Sequence, residues 1–402
     1  MGSMAAPPPN GQQQNPTVAN MAQRNLVIKN SVPREQVIFS QTIAPTTNSQ
    51  LNISPRYVGL CKRFTVEILG TINNTGTVNI NLDTRGLANI LSQVTFIDLN
   101  NNTRIQTTGL HLALLADAKR HRPYAGTYQA NTANGNNLSK SMNVNPATWG
   151  VYQAPAIIAA GESGTFRMVY EVPLAYTDTD LRGAVWLGQV NATANLQINF
   201  NPNILVIAPG DSLFAVYNGG AGAAASLGSC TVTVYQEYLD QLPTYANGLP
   251  VLPDLDMSTI YELKNTRFTG IPSGSDYPIS YANFRSFVST FIAYNSTGTY
   301  AGLLTGQDLN YLAVQTANFT KLWQTDPLMV AQNSREVLTM DQPPGIYYLP
   351  TRDKPISTSQ YGNVEAILNP SAGGALAYAE VMWEDFALQN ILTQAASLPA
   401  GG

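Results

Sequence analysis

The sequence predicts an all-β protein built as two similar halves, and three observations carry that expectation. Short runs of alternating apolar and polar residues, such as Phe64-Thr65-Val66-Glu67-Ile68, recur along much of the chain and match the two-residue period of a half-buried strand. Tight-turn signals such as Asn73-Asn74-Thr75-Gly76 punctuate them. The third observation is the stretch from Val232 to Leu263, where a strand pattern (Val232, Val234, Tyr235, Tyr238) runs into Gln241, Leu242-Pro243, Asn247-Gly248, Pro250 and Pro253. Proline has no N–H to give a central strand and fixes its own φ, so this stretch is the expected hinge between halves. A long loop inside one domain would read the same way, but a repeat across the stretch weighs against it.

Arg285 to Thr299, RSFVSTFIAYNSTGT, aligns without gaps on Arg63 to Thr77, RFTVEILGTINNTGT, with Arg63/Arg285, Val66/Val288, Asn73/Asn295, Thr75/Thr297, Gly76/Gly298 and Thr77/Thr299 identical. Further on, Thr305 to Ala313 matches Thr108 to Ala116 at five positions. Strand, tight turn and helix are therefore expected to recur in the same order.

The length of 402 residues suits two domains, each with a real core. Hydrophobic residues make up 44% and charged residues only 11%, against roughly 25% charged in ordinary soluble domains. Net charge is −4 with no long basic run, so direct nucleic-acid binding is not expected. A polar, weakly charged surface repels copies of itself little and suits a protein that packs against its own kind. The two cysteines, Cys61 and Cys230, stand far apart in strand-like contexts and read as buried thiols. No signal-peptide-like segment and no membrane-span-length apolar run is visible, so synthesis in the cytoplasm is expected and sequons such as Asn191-Ala192-Thr193 and Asn318-Phe319-Thr320 read as ordinary polar positions.

Taken in order, residues 1 to 15 lack the apolar content to order themselves. From Pro16 to Asn30 the spacing of Val18, Met21, Ala22, Asn25, Leu26 and Lys29 predicts a short helix with one common face, opened by Pro16 and closed before Pro33. With Arg24, Lys29 and Arg34 nearby it suits an anionic surface or a neighbouring subunit; a frayed arm is the other reading. Strands follow at Val37-Phe39, Leu51-Ile53, Phe64-Ile68, Val78-Leu82 and Val94-Ile97. Thr108 to Arg120 reads as a helix with Leu112, Leu115 and Ala116 on one face and Lys119 and Arg120 complementing the dipole in its last turn. Its His111 has no partner histidine at helical spacing, and His121 lies off that face, so a structural role is expected.

Residues 123–150 are rich in Asn, Ala, Gly and Thr and read as an exposed loop. Strands resume at Gly164-Tyr170, Leu196-Phe200, Ile204-Ile207 and Leu213-Tyr217. Thr177-Asp178-Thr179-Asp180 reads either as a cap opening a short helix through Leu187 or as oxygen ligands for a hard cation, the cap being preferred. Gly219 to Gly228 reads as a loop without phosphate-loop chemistry. After the hinge, strands are expected at Gly345-Leu349, Asn363-Leu368 and Ala377-Glu384, the last resembling Cys230-Tyr238. Residues from 390 form a tail.

Catalytic chemistry finds little support. Two histidines and no clustered cysteines or carboxylates supply neither a metal-activated site nor a cofactor site, and Gly161-Glu162-Ser163-Gly164 lacks the spacing of a nucleophile elbow. Paired carboxylates among Glu67, Glu171, Glu237, Asp240 and Glu384 are better read as strand-face or hinge residues. No catalytic residue, metal or cofactor is assigned.

Several segments resemble one family: Ala154-Pro155-Ala156-Ile157-Ile158-Ala159-Ala160-Gly161; Val172-Pro173-Leu174-Ala175-Tyr176 with Thr177 to Val185; Val234-Tyr235-Gln236-Glu237-Tyr238 to Pro243; Asp308-Leu309-Asn310-Tyr311-Leu312; and Arg352-Asp353-Lys354-Pro355-Ile356 with Gln360-Tyr361-Gly362-Asn363-Val364. They are similar to the major capsid protein of tectiviruses, icosahedral phages with a membrane inside the shell, and span about 35 to 370. The resemblance implies two eight-stranded jelly-roll β-sandwiches in one chain, with short helices and an N-terminal helical arm. It implies a homotrimeric, nearly hexagonal capsomer tiling the shell, contacts with minor capsid and vertex proteins, and location in the virion. It also sets the N-terminal segment at the capsid's inner side near the membrane, which fits the expected helix as an arm facing the membrane or a subunit through Val18, Met21, Arg24, Leu26 and Lys29. The division that follows is an arm at 1–34, a first jelly roll at 35–243, a second at 244–389 and a tail at 390–402. Deleting the arm is expected to spare the trimer and impair shell assembly. The alternative is a β-sandwich carbohydrate-binding module with Tyr124, Tyr128, Trp149 and Tyr152 as its stacking platform.

Overall fold

A computed structural model of the chain describes residues 16–45, 49–82, 86–120, 154–155, 157–188, 193–202, 204–207, 215–296, 308–316, 321–327, 329–330, 345–350, 355–375 and 377–387. The expected unordered start, His121, the loop at 123–150, the aromatic set Tyr124, Tyr128, Trp149 and Tyr152, and the tail from 390 lie outside these residues.

Alternation builds the first sandwich. Strand β3 (Leu60–Asn74) buries Phe64, Val66, Ile68 and Ile72 on one face and turns Thr65, Glu67 and Leu69 the other way. It pairs antiparallel with β13 (Ala225–Asp240) on one side and β8 (Ser163–Pro173) on the other, and β1 (Val32–Ile43) adds beyond β13. The leaf order is thus β1-β13-β3-β8, with the short β9 (Val185–Trp186) on the start of β3. Facing it are β2 (Gln50–Ile53), β10 (Asn195–Phe200), β5 (Leu91–Ile97) and β6 (Thr103–Thr107), in the order β6-β5-β10-β2. Phe64 of β3 and Phe96 of β5 meet between the leaves with ring centroids 5.5 Å apart. A small sheet, β11 (Leu205–Ile207), β12 (Tyr217–Gly219), β4 (Ile80–Leu82) and β7 (Ile157–Ile158), flanks this sandwich.

The second half repeats the plan. One leaf has the order β19 (Ile346–Pro350), β16 (Arg285–Asn295), β22 (Tyr378–Ala387), β14 (Ile260–Thr269), with β20 (Ile356–Ser357) also on β16. The other is β15 (Tyr277–Ser280), β21 (Val364–Pro370), β17 (Leu309–Thr316), β18 (Lys321–Thr325). Each half is therefore two four-stranded leaves, an eight-stranded sandwich carrying short additions. The repeat detected in the sequence falls on β3 and β16. Each pairs antiparallel with the last long strand of its half, β13 and β22 respectively. The repeated arginines do the same work: Arg63 pairs with Glu237 of β13, and Arg285 with Asp385 of β22.

Three local expectations are corrected. The second repeat match does not form a helix, because Leu309–Thr316 is β17, paired on both edges by β18 and β21. Tyr311, Val314 and Thr316 favour a pleated surface, whereas the matching first-half segment, rich in Leu and Ala, forms helix α2 (Gly109–Arg120). Ala225 to Gly228 belongs to β13 rather than to a loop. No helix follows Thr177. Its Oγ1 accepts from the N–H groups of Thr179 and Asp180 at 3.3 and 2.9 Å, but Gly183 turns the chain at φ 88° and Val185-Trp186 enters β9.

Candidate assembly surfaces

The two residue sets singled out in the sequence, arm and hinge, meet in the structure. Helix α1 (Pro16–Asn30) turns Asn20, Arg24 and Val27 inward at helical spacing. A short helix, α3 (Asp254–Ser258), follows Pro253 and presents Asp256, whose side chain is only 2% exposed. Asn20 Nδ2 donates to Asp256 Oδ1 at 2.8 Å, and Arg24 Nε and Nη2 donate to its two oxygens at 2.5 Å each. The hydrogen bonds to Asp256 hold the Arg24 guanidinium above its ordinary range. Arg24 Nη2 also lies 3.4 Å from Asp180. Buried Val27 joins Leu60, Leu181, Leu239 and Val251 in a small core of its own, with Ile28, Leu242 and Met257 at its margin.

The hinge is itself ordered. Thr244 bridges Pro250, and Val251 N–H donates to Pro243 O at 2.7 Å. Asn247 Oδ1 accepts from Leu249 N–H at 3.1 Å, and Gly248 and Gln241 adopt positive φ of 80° and 50°. Gln23 Nε2 on α1 donates to Tyr245 Oη at 2.9 Å. Of the arm residues chosen in the sequence, Met21, Leu26 and Lys29 are exposed, while Arg24 is turned into its own chain. The side chain of Val18 lies outside the described residues. Asn20, Val27 and Asp256 were missed; the spacing of Asn20, Arg24 and Val27 was the available signal, but nothing local points to Asp256.

A second surface joins the sandwiches. Strand β14 runs parallel to β6, Leu263 opposite Ile105 and Lys264 opposite Gln106, so the leaves β19-β16-β22-β14 and β6-β5-β10-β2 form one nine-stranded sheet. Helix α2 packs over this seam. His111 lies 5.8 Å from the Phe291 ring, and its Nδ1 is 2.6 Å from Thr107 Oγ1. Burial pushes its pKa down to about 3, so it stays neutral and structural. At the end of α2, Lys119 forms an ion pair with Glu384 of β22, and Nζ also donates to Tyr261 Oη at 2.6 Å and Tyr176 O at 3.2 Å. Glu384, fully buried, accepts from Tyr261 Oη at 2.9 Å and from Ser289 Oγ at 2.5 Å. Tyr176 meets Tyr261 and Phe386 edge to face, and Tyr261 and Phe386 meet at a tilt.

Near the seam, Arg285 is shared by two buried carboxylates: it bonds Glu262, and its Nη1 donates to Asp385 at 3.1 Å, while Lys264 lies 2.7 Å from Glu262. Burial pushes the Asp385 carboxyl up to about 7, against the opposing pull of Arg285 and with the help of Glu262. A carboxyl whose folded pKa exceeds its unfolded value stabilises the fold fully below the unfolded pKa, and that contribution is lost as pH rises through the folded value. The chain should lose stability from about pH 4 to pH 7 through this group, and Asp385→Asn should flatten that slope. Denaturant midpoints at pH 5 and pH 8 check it; an unchanged difference between them would count against the assignment.

The carboxylates at the turn before β9 are also engaged by side chains. Asp178 pairs with Arg63 at 3.0 Å and Lys62 at 3.6 Å, and Asp180 with Arg182 at 2.7 Å. Burial works upward on both, yet hydrogen bonds and charge from these cations outweigh it and hold both carboxyls low. Among the described residues no group of three or more His, Cys, Asp or Glu side chains is placed to hold a metal ion, and no helix is long and apolar enough to cross a membrane. Cys61 and Cys230 are both buried free thiols.

Comparison with known proteins bears on what these surfaces serve. Residues 12–242 match the family described as P3 major capsid protein N-terminal, and residues 258–399 match P3 major capsid protein C-terminal. The major capsid protein P3 of Enterobacteria phage PRD1 is 35% identical over 387 residues, covering 94% of each chain. The structure of Sulfolobus Turreted Icosahedral Virus aligns with a TM-score of 0.61 at 13% identity over 92% of this chain and 94% of the other. That of the STIV MCP aligns with a TM-score of 0.60 at 12% identity over 91% and 100%. These two likenesses bear on the fold and agree with a double jelly roll. The family is one of structural capsid proteins rather than enzymes, and it does not favour the carbohydrate-binding reading. With both halves matched in order and over nearly their whole length, the chain belongs to the P3 major capsid protein family.

Proposed function

We propose that the chain is the repeating brick of an icosahedral phage shell, acting as a homotrimer whose six sandwiches give a nearly hexagonal outline. The observation that carries this reading is the 35% identity to a phage major capsid protein across 94% of both chains. The fold suits the task. Ladder hydrogen bonds run the length of β3, β13 and β8, and the shared sheet makes the two sandwiches one stiff body. Within it, the arm is taken as 1–34, the first jelly roll as 35–243, the second as 244–389 and the tail as 390–402, with the hinge at Gln241 to Pro253 between the sandwiches. Neighbouring trimers, minor capsid proteins and vertex proteins are its partners.

The arm is read as the part that faces inward. Its outer side carries Met21 and Leu26, 52% and 44% exposed, beside Lys29. Two apolar side chains with a cation suit the interface of an anionic membrane below the shell. Because β1 already begins at Val32 and pairs with β13, removing residues 1–30 takes the helix and leaves the sheet. Light scattering coupled to size exclusion should still find a trimer, while reassembled shells should become fewer and less regular by electron microscopy. A truncated chain that elutes as monomer would assign the arm to the trimer instead.

A further inference from the structure

The second sandwich opens on its side, between β14 of one leaf and the end of β15 in the other, into a cleft of about 570 Å³. Phe268, Tyr281 and Trp383 form its aromatic lining. The Phe268 and Tyr281 rings stand nearly perpendicular to the indole, at 89° and 86°, each with its centroid 6.5 Å away. Walls set this way leave a slot for a compact, stiff apolar ring, and Phe268 and Trp383 are only half-buried, so they offer surface to one. The buried indole N–H of Trp383 has no acceptor among the described residues. The charges that line the cleft are already matched: Lys264 lies 2.7 Å from Glu262, and Arg285 is shared by Glu262 and Asp385. A charged ligand would find no counter-charge to spare. Exposed amides of Gln106 and Asn283 add further donors at the rim.

Stiff rings, carbonyl acceptors and no charge describe a proline-rich segment. Proline keeps its carbonyl but has no N–H, and the polyproline II helix makes no internal hydrogen bonds, so its carbonyls look outward for donors. Aromatic-lined grooves recognise such segments. The chain carries one, Ala6-Pro7-Pro8-Pro9-Asn10, within an uncharged stretch that leads up to Pro16. Helix α1 brings it within reach. Asn20 and Arg24 hold Asp256, just before β14, whereas Val32 beyond the other end of the helix pairs with Asp240 of β13. The first turn of α1 is therefore the end nearer the second sandwich. Pro16 lies about 6 Å along the axis from Asn20, and residues 11–15 can span roughly 17 Å, against about 14 Å of strand between Ile260 and Lys264 at the cleft. We propose that this cleft is the seat of the chain's own N-terminal proline segment, Ala6 to Asn10, held as a polyproline II turn against Trp383. These residues cannot order by themselves, but a preformed slot and a stiff segment keep the entropy cost of docking low. Seated there, the segment clamps α1 at its open end.

The full chain carrying Pro7→Ser, Pro8→Ser and Pro9→Ser together tests this, since the changes lie outside every strand of both sandwiches. Its tryptophan emission should move to longer wavelength than that of wild type, as Trp383 meets water. Trp383→Phe should abolish the difference between the two chains, and a synthetic peptide of residues 4–12 added to the triple variant should restore the wild-type emission. An unchanged emission in the triple variant, with no response to the peptide, overturns the proposal. A chain carrying Asn10→Cys and Asn283→Cys reports which copy supplies the segment, because Arg285 beside Asn283 and Ile260 at the start of β14 both lie opposite Ala387 at the same end of the sheet. After mild oxidation a bridged product of single-chain mass is expected; no bridge, or a product of twice that mass, overturns the in-chain seat. None of these readouts counts subunits, so the capsomer reading survives a failure here.

Discussion

Lys119→Met lowers the stability of the folded chain by about 3–5 kcal/mol, the cost of stranding a buried charge. Glu384 is fully enclosed between the sandwiches, and Lys119 is the cation paired with it, reached from helix α2 of the other half. Tyr261 and Ser289 hydroxyls each give it a hydrogen bond, but they cannot cancel its charge. The partner variant Glu384→Gln strands Lys119 less severely, since that ammonium also reaches Tyr176 O and lies 4.6 Å from the Tyr176 and Tyr261 ring centroids. Combining Lys119→Met with Glu384→Leu should recover most of the loss, because an apolar pair of similar volume pays no desolvation. Thermal and denaturant midpoints of the three variants check this; a neutral Lys119→Met would mean that water reaches Glu384.

Gly183→Ala destabilises by about 3 kcal/mol, the sum of a strained backbone and a forced contact. Gly183 sits at φ 88°, and a Cβ there would lie 2.4 Å from Tyr261 Cβ and 2.5 Å from Leu174 O. Its own N–H donates to Asp256 O at 3.1 Å, and its carbonyl accepts from Arg104 Nη1 at 3.0 Å. The residue thus ties the first sandwich to β14 and to the helix that holds the arm. Loosening it should expose the arm as well, so faster proteolysis near Arg24 should accompany the lower midpoint. A variant as stable and as resistant as wild type would show that this turn can shift without consequence.

The sandwiches were legible because strands buried on one face write a period of two, and β3 and β13 keep it over most of their length. The helix expected over the match at Thr305 to Ala313, where the chain from Leu309 is instead β17, came from extending a five-position match past the point where residue propensity should have decided. The contrast between the two halves was also written in the chain: FTVEI in β3 alternates, whereas STFIAY in β16 does not, which is how a strand covered on both faces reads. What could not be read was pairing at a distance. Asn20 and Asp256 are 236 residues apart, and Lys119 and Glu384 further still, so neither the arm's inner contacts nor the buried ion pair leaves a local trace. Arg24 was assigned outward for that reason.

Helix α1 finds its most heavily bonded acceptor, Asp256, beyond the end of the first sandwich. On the ribosome, therefore, the docking place of α1 is incomplete until the hinge and Asp256 have emerged, and β1 likewise waits for β13. The first sandwich cannot close early on a partial sequence. When the arm does settle, β13 is in place and the strand that will meet β6 is next to leave the exit tunnel, so synthesis itself sets the sequence in which one sandwich becomes the platform for the other.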